Sequence, residues 1–116
     1  MAYRVHVVSP AKREIKKLDR SGKVAVLKAN LSLGENPRPD GYVPVVTQFG
    51  LYRIHVPSAP KYRIIYHVDD RFQAVIIVTV RLKGKRTYQN IPIHSLSLKL
   101  EELKEEFLKQ QEESNK

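Results

Sequence analysis

LYRIHV (residues 51–56), KYRIIYHV (61–68) and AVIIVTVR (74–81) decide the fold, because each has a strand pattern and they follow one another closely. In the first, Tyr52, Ile54 and Val56 alternate with Arg53 and His55; in the second, Tyr62, Ile64, Tyr66 and Val68 alternate with Arg63 and His67. Side chains along a strand point to opposite faces in turn, so this period predicts an antiparallel pair with one apolar and one cationic face. From Ala74 to Val80 the third run is apolar except at Thr79 and rich in Val and Ile, as in a strand covered on both sides. It ends in Arg81, Lys83, Lys85 and Arg86. Asp69-Asp70-Arg71 supplies the turn before it. Pro57-Ser58-Ala59-Pro60 predicts a wide loop between the first two strands, since proline cannot donate to a ladder.

Working outward, Tyr3 to Val8 alternates as a first strand, and Ser9-Pro10 reads as an N-cap followed by proline at the first helical position. Ala11, Ile15 and Leu18 give that helix a narrow apolar stripe among Lys12, Arg13, Lys16, Lys17 and Arg20, and Ser21-Gly22 is expected to end it. A second helix is expected from about Lys23 to Leu33, with Val24, Leu27 and Leu31 on its buried face, Val26 and Ala29 alongside, and Gly34 as its stop. ENPRPDGYVPVVTQFG (35–50) predicts an irregular connection with an edge strand at Val45 to Phe49. After the strands, residues 88–94 form a segment broken by Pro92. From Ser95 or Ser97 a last helix carries Leu96, Leu100, Leu103 and Phe107 inward and Glu101, Glu102, Glu105 and Glu106 outward, and QQEESNK is expected to fray. The expected fold is α+β in the order β-α-α-β-β-β, a small, mainly antiparallel sheet packed by a two-helix hairpin, plus a C-terminal helix. Residues 1–95 form the body and 96–116 the helix and tail of the same domain.

At 116 residues the chain is one domain with one core. No apolar run approaches the roughly 20 residues of a membrane span, and the N-terminus lacks a signal-peptide core, so a soluble cytoplasmic protein is expected. With no cysteine and four scattered histidines, neither a disulfide nor a metal centre is expected, and no cofactor. The charge is uneven: residues 1–97 hold 17 Lys and Arg against 6 Asp and Glu, whereas residues 98–116 hold 4 against 6. A body at +11 under a tail at −2 points to a polyanion partner such as RNA or DNA, or to an acidic protein segment.

The element order, the phrase LYRIHV…KYRIIYHVDD, the VIIVTV strand and the basic KGKRTY ending resemble the RelE/ParE superfamily of bacterial and archaeal toxins over about residues 2–90. The RelE branch of that superfamily cuts mRNA in the ribosomal A site and is silenced by a cognate antitoxin, whereas the ParE branch poisons DNA gyrase. The resemblance therefore implies a type II toxin with a ribosome, mRNA and an antitoxin as partners. It places Arg53 and His55 where RelE enzymes carry two lysines, Arg63 at the strand arginine, Lys83 or Arg86 at the arginine of the basic loop, and Tyr88 at the tyrosine after it.

RNA cleavage of this kind needs a base for the attacking 2′-OH, an acid for the leaving 5′-oxygen, and cations for the charge gathered on the phosphorane. His55, Arg63, Lys83, Arg86 and Tyr88 are the candidate catalytic residues. His55 departs from the family lysine, and an imidazole with an ordinary pKa of about 6.5 is the more usual general base. Tyr88 suits either acid chemistry or base stacking. Arg53, Lys61, Arg81 and Lys85 are candidate RNA-binding cations, and Lys12, Arg13, Lys16 and Lys17 form a solvated helix face suited to ribosomal RNA. A gyrase-binding ParE toxin without a nuclease site and a non-toxic RNA-binding member of the fold are the competing readings. The acidic C-terminal helix, held by one stripe, is the element with which an antitoxin is expected to compete.

Overall fold

A computed structural model describes residues 2–46, 50–84 and 89–114. The elements are β1 (Arg4–Val7), α1 (Ser9–Lys16), α2 (Arg20–Glu35), β2 (Val43–Val46), β3 (Leu51–Val56), β4 (Ala59–Asp69), β5 (Ala74–Leu82) and α3 (Ile93–Ser114). The strands form one five-stranded sheet in the order β1-β5-β4-β3-β2, with β1 parallel to β5 and the other pairs antiparallel. This is the expected α+β architecture with one strand more than the core order. The edge strand lies at Val43–Val46, earlier than expected, and residues 47–49 of the expected strand fall outside the described residues.

The strand register fixes which side chains share a face. Along β1, Val5 lies against α2, where a Cβ on Gly34 would come within 2.9 Å of its methyl group. His6, the next residue, therefore points to the opposite face, and there it feels the charges of Lys99, Glu102 and Glu106 on α3. The α1–α2 hairpin and α3 thus cover opposite faces. His6 pairs with Ile76, Ile76 with His67, and along β4 the same face continues through Ile65 to Arg63, which pairs with His55. Leu96 and Leu103 of α3 are fully buried and Phe107 packs on Phe72 with ring centroids 5.5 Å apart. The expected inward stripe of α3 is therefore present and docks on the sheet.

Several local expectations are corrected. Ser9 is the first helical residue and Val8 the N-cap, with no side-chain cap. Ser21 and Gly22 do not end a helix. They lie in the first turn of α2, whose N-cap is Asp19, its carboxylate accepting from the Gly22 amide at 2.8 Å. Gly34 does not stop α2 either. It lets the helix approach β1, and the Tyr3 amide donates to its carbonyl at 2.8 Å, while Asn36 before Pro37 ends the helix. Consequently α2 buries Gly22, Ala25, Val26, Ala29, Leu33 and Gly34. The stripe expected inward faces solvent: Val24, Leu27 and Leu31 are 47, 51 and 70% exposed. Two apolar faces were available, and the one with glycines and alanines allows the closer approach. α3 begins at Ile93 and remains helical through Gln110 to Ser114, so most of the expected fray is ordered.

No wide loop separates β3 from β4. Pro57 and Ser58 form a tight turn, and the register jumps from His55 opposite Arg63 to Val56 opposite Ala59. Residues 60–62 form the bulge this leaves, so the missing amide of Pro60 falls where no ladder bond is required.

Candidate functional site

The bulge explains how Arg63 is held. A bulge strands carbonyl groups, and a buried carbonyl without a donor is costly. Arg63, only 3% exposed, turns Nη1 back to the Pro60 carbonyl and to the Tyr62 carbonyl at 3.2 Å. It is therefore part of the packed fold, whereas the strand alternation puts it on the cationic face and not in the core. Among the described residues no carboxylate comes within ion-pair distance of its guanidinium.

Across the ladder from Arg63 stands His55, exposed on the sheet surface. Partial desolvation, then the charges of Arg63, Arg53 and Lys83, hold the His55 imidazole below its ordinary value of 6.5. It is thus a neutral acceptor at pH 7, ringed by cations. Arg53 is half-buried on the same strand face, paired with Ile65, and its Nε is buried with no partner. Lys83 is tied in through its backbone, its amide donating to the Lys61 carbonyl at 2.8 Å. Lys61 itself is exposed, with Nζ 5.2 Å from the centroid of Tyr62.

Other expected residues are placed elsewhere. Lys12, Arg13 and Lys16 on α1 and Lys17 at its C-cap are exposed, in the helical layer across the sheet from His55. Arg81 shares the face of Arg63, its ladder partner, but its guanidinium is engaged with protein oxygens. Nε donates to Thr79 Oγ1 at 3.0 Å, Nη2 to the Asn90 carbonyl at 2.9 Å, and Nη1 to the Gln89 carbonyl. Lys85, Arg86 and Tyr88 lie outside the described residues, so the choice between Lys83 and Arg86 at the phosphate stays open.

Sequence reading missed Glu14. This carboxylate of α1 accepts from Thr79 Oγ1 at 2.8 and 2.9 Å and from the Val80 amide at 3.2 Å, and stands 3.9 Å from Arg81 Nε. The signal available was a lone acid inside a run of lysines and arginines, in a chain whose third strand pattern carries a single uncharged polar residue, Thr79. A cavity of about 380 Å³ beside β3 is lined by Ala29, Leu33, Asp40, Ile54 and Pro57 and reaches the candidate base His55. No helix among the described residues is long and apolar enough to cross a membrane.

The arrangement can hold a polyanion against a neutral base. The family model for the ParE toxin of type II toxin-antitoxin systems matches residues 5–87. No curated protein matches the sequence. A mutant of the E. coli toxin RelE in the free state superposes with a TM-score of 0.62 at 24% identity, covering 84% of this chain and 97% of that one. The RelBE2 toxin-antitoxin complex from Mycobacterium tuberculosis gives 0.61 at 24% identity, over 72% of this chain and all of that chain. The archaeal RelE–RelB complex from Pyrococcus horikoshii gives 0.61 at 21% identity, over 73% and 99%. The chain belongs to the ParE toxin family of type II toxin-antitoxin systems, within the RelE/ParE superfamily.

Proposed function

We propose that this toxin is a ribosome-dependent mRNA endonuclease of the RelE kind, cutting in the A site by attack of a 2′-OH on the adjacent phosphorus. The observation that carries this reading is a cluster of cations with no ion pair to a carboxylate among the described residues. Arg63 is buried with no carboxylate among the described residues, and Arg53 and Lys83 stand around the same imidazole. Cations so placed favour a phosphate between them, because burying an unpaired charge is expensive and an anionic ligand relieves it. His55, held neutral by those cations, takes the 2′-OH proton. Arg63, Arg53 and Lys83 meet the charge on the phosphorane. The 5′-oxygen leaves with a proton from Tyr88 or from a basic-loop cation, giving a 2′,3′-cyclic phosphate and a 5′-OH.

The ribosome would orient the message across the sheet face that carries Arg53, His55 and Arg63. The lysines and arginines of α1 supply a second basic surface for ribosomal RNA, and binding should weaken steeply with salt. RelE relatives are solved with RelB antitoxins, which supports a protein antitoxin as this chain's partner. That partner would cover the cations or displace α3.

A specific observation favours a second reading: the matched family model is the ParE one, and ParE toxins poison DNA gyrase. That reading requires no nuclease site, so neutral changes at His55 and Tyr88 would leave toxicity intact. Inducing the protein in cells while following translation and plasmid supercoiling separately tests the two. A prompt halt in protein synthesis with unchanged supercoiling supports the nuclease, and gyrase-dependent DNA damage with translation continuing overturns it.

A further inference from the structure

We propose that Arg81 and Glu14 form a clamp that positions the basic loop, so that Arg81 acts through geometry and does not meet the RNA phosphate itself. The inference rests on the nuclease reading for its consequence but not for its structural content. Arg81 is the one lysine or arginine of β5, and its three nitrogens reach oxygens on both sides of the loop that follows. Nε is held by Thr79, on the strand before the loop. Nη1 and Nη2 hold the carbonyls of Gln89 and Asn90, where the chain returns. Asn90 sits at φ 52°, a left-handed conformation that asparagine tolerates better than most residues.

Glu14 completes the arrangement from a third element. With β1 ending at Val7, the outer edge of β5 beyond Ile77 has no strand neighbour among the described residues, and Glu14 fills that place by accepting from the Val80 amide and the Thr79 hydroxyl. Its charge, 3.9 Å from Arg81 Nε, is the ion-pair partner that Arg63 lacks. One guanidinium therefore joins α1, the end of β5 and the entry to α3, and it fixes both ends of the segment carrying Lys83, Lys85, Arg86 and Tyr88. A lysine has neither the planar fork nor the reach to meet three oxygens in different directions.

The test compares Arg81→Lys with Arg81→Ala in single-turnover cleavage of a message on programmed ribosomes. A phosphate-binding cation would be largely rescued by lysine, whereas a clamp would not. The expected result is a loss of about 100-fold in kcat for both variants, the scale of a small misplacement of reacting groups, with KM and its salt dependence unchanged. Glu14→Ala should cause a similar loss, and the double variant should lose no more than either single one, since the two act as one unit. Amide exchange of the free proteins gives a readout independent of activity. Gln89, Asn90 and Ile91 should exchange faster in Arg81→Lys while β3 and β4 stay protected. Parental cleavage by Arg81→Lys, or unchanged exchange at those amides, overturns the clamp. If the parent cuts no message, the nuclease reading fails while the exchange result still decides the clamp.

Discussion

Replacing Arg63 with alanine should remove cleavage and leave a folded, moderately weakened protein. Two losses follow from the structure. The Pro60 carbonyl lies on an exposed residue and can turn to water, but the Tyr62 carbonyl is accepting inside the fold and loses its donor. Leaving one buried acceptor unpaired costs about 1–3 kcal/mol. Removing a buried guanidinium that has no carboxylate offsets part of that, so the net cost is about 1–2 kcal/mol. At this chain length each kcal/mol lowers Tm by about 4 °C, so the midpoint should fall by about 4–8 °C. A domain of ordinary stability, about 5–15 kcal/mol, stays folded through such a loss. The rate should fall by about 10²- to 10³-fold, as when one preorganised donor to a transition-state anion is removed. Thermal melting and single-turnover cleavage on programmed ribosomes measure the two effects separately. Parental cleavage by Arg63→Ala would refute the assignment, and an unchanged melting midpoint would refute its place in the bulge.

The remaining predictions are more local. His55 must be neutral to act as a base and is held below 6.5 by desolvation and by Arg63, Arg53 and Lys83, so the rate should be level near pH 7 and fall in acid with a midpoint below 6.5. Lys83→Met, by removing one repelling cation, should move that midpoint upward; a parental midpoint above 6.5 would contradict the proposed environment. Gly34→Ala would bring a Cβ within 2.9 Å of a Val5 methyl and 3.0 Å of the Tyr3 carbonyl, so denaturant unfolding should show a loss of about 1–3 kcal/mol. Leu31→Gln on the exposed side of α2 should change stability by no more than about 0.5 kcal/mol, whereas Leu33→Ala should cost about 2–5 kcal/mol. If an antitoxin displaces α3, amides of residues 96–108 should exchange faster in the complex than in the free toxin. High and identical protection in both would make α3 plain scaffold.

The sheet was legible because period-two alternation in LYRIHV and KYRIIYHV is a strong signal tied to burial: Ile54, Val56, Tyr62, Ile64 and Tyr66 are buried on one side while His55 is exposed on the other. The same alternation put Arg63 on the cationic face with Arg53 and His55, and the strand register sets it opposite His55. It did not show that Arg63 is buried, because that depends on a bulge at Pro60 whose position is set by the pairing of two strands. The α2 face was misread for a related reason. Leucine content favours one side of the helix, whereas the decisive feature is how closely Gly22 and Gly34 let the helix approach Tyr62 and Val5. Glu14 was invisible because its role exists only where β1 ends short of β5 and leaves a strand edge to be capped.

Cleavage of a defined message on programmed ribosomes by the purified toxin, with one nucleotide of the A-site codon replaced by its 2′-deoxy analogue, tests the central claim most directly. The account predicts that the all-ribose message is cut in the A site to a 2′,3′-cyclic phosphate and a 5′-OH, and that a deoxy residue on the 5′ side of the scissile phosphate blocks the cut. Cleavage that survives the deoxy substitution, or an intact message alongside gyrase-dependent DNA breaks, would contradict it.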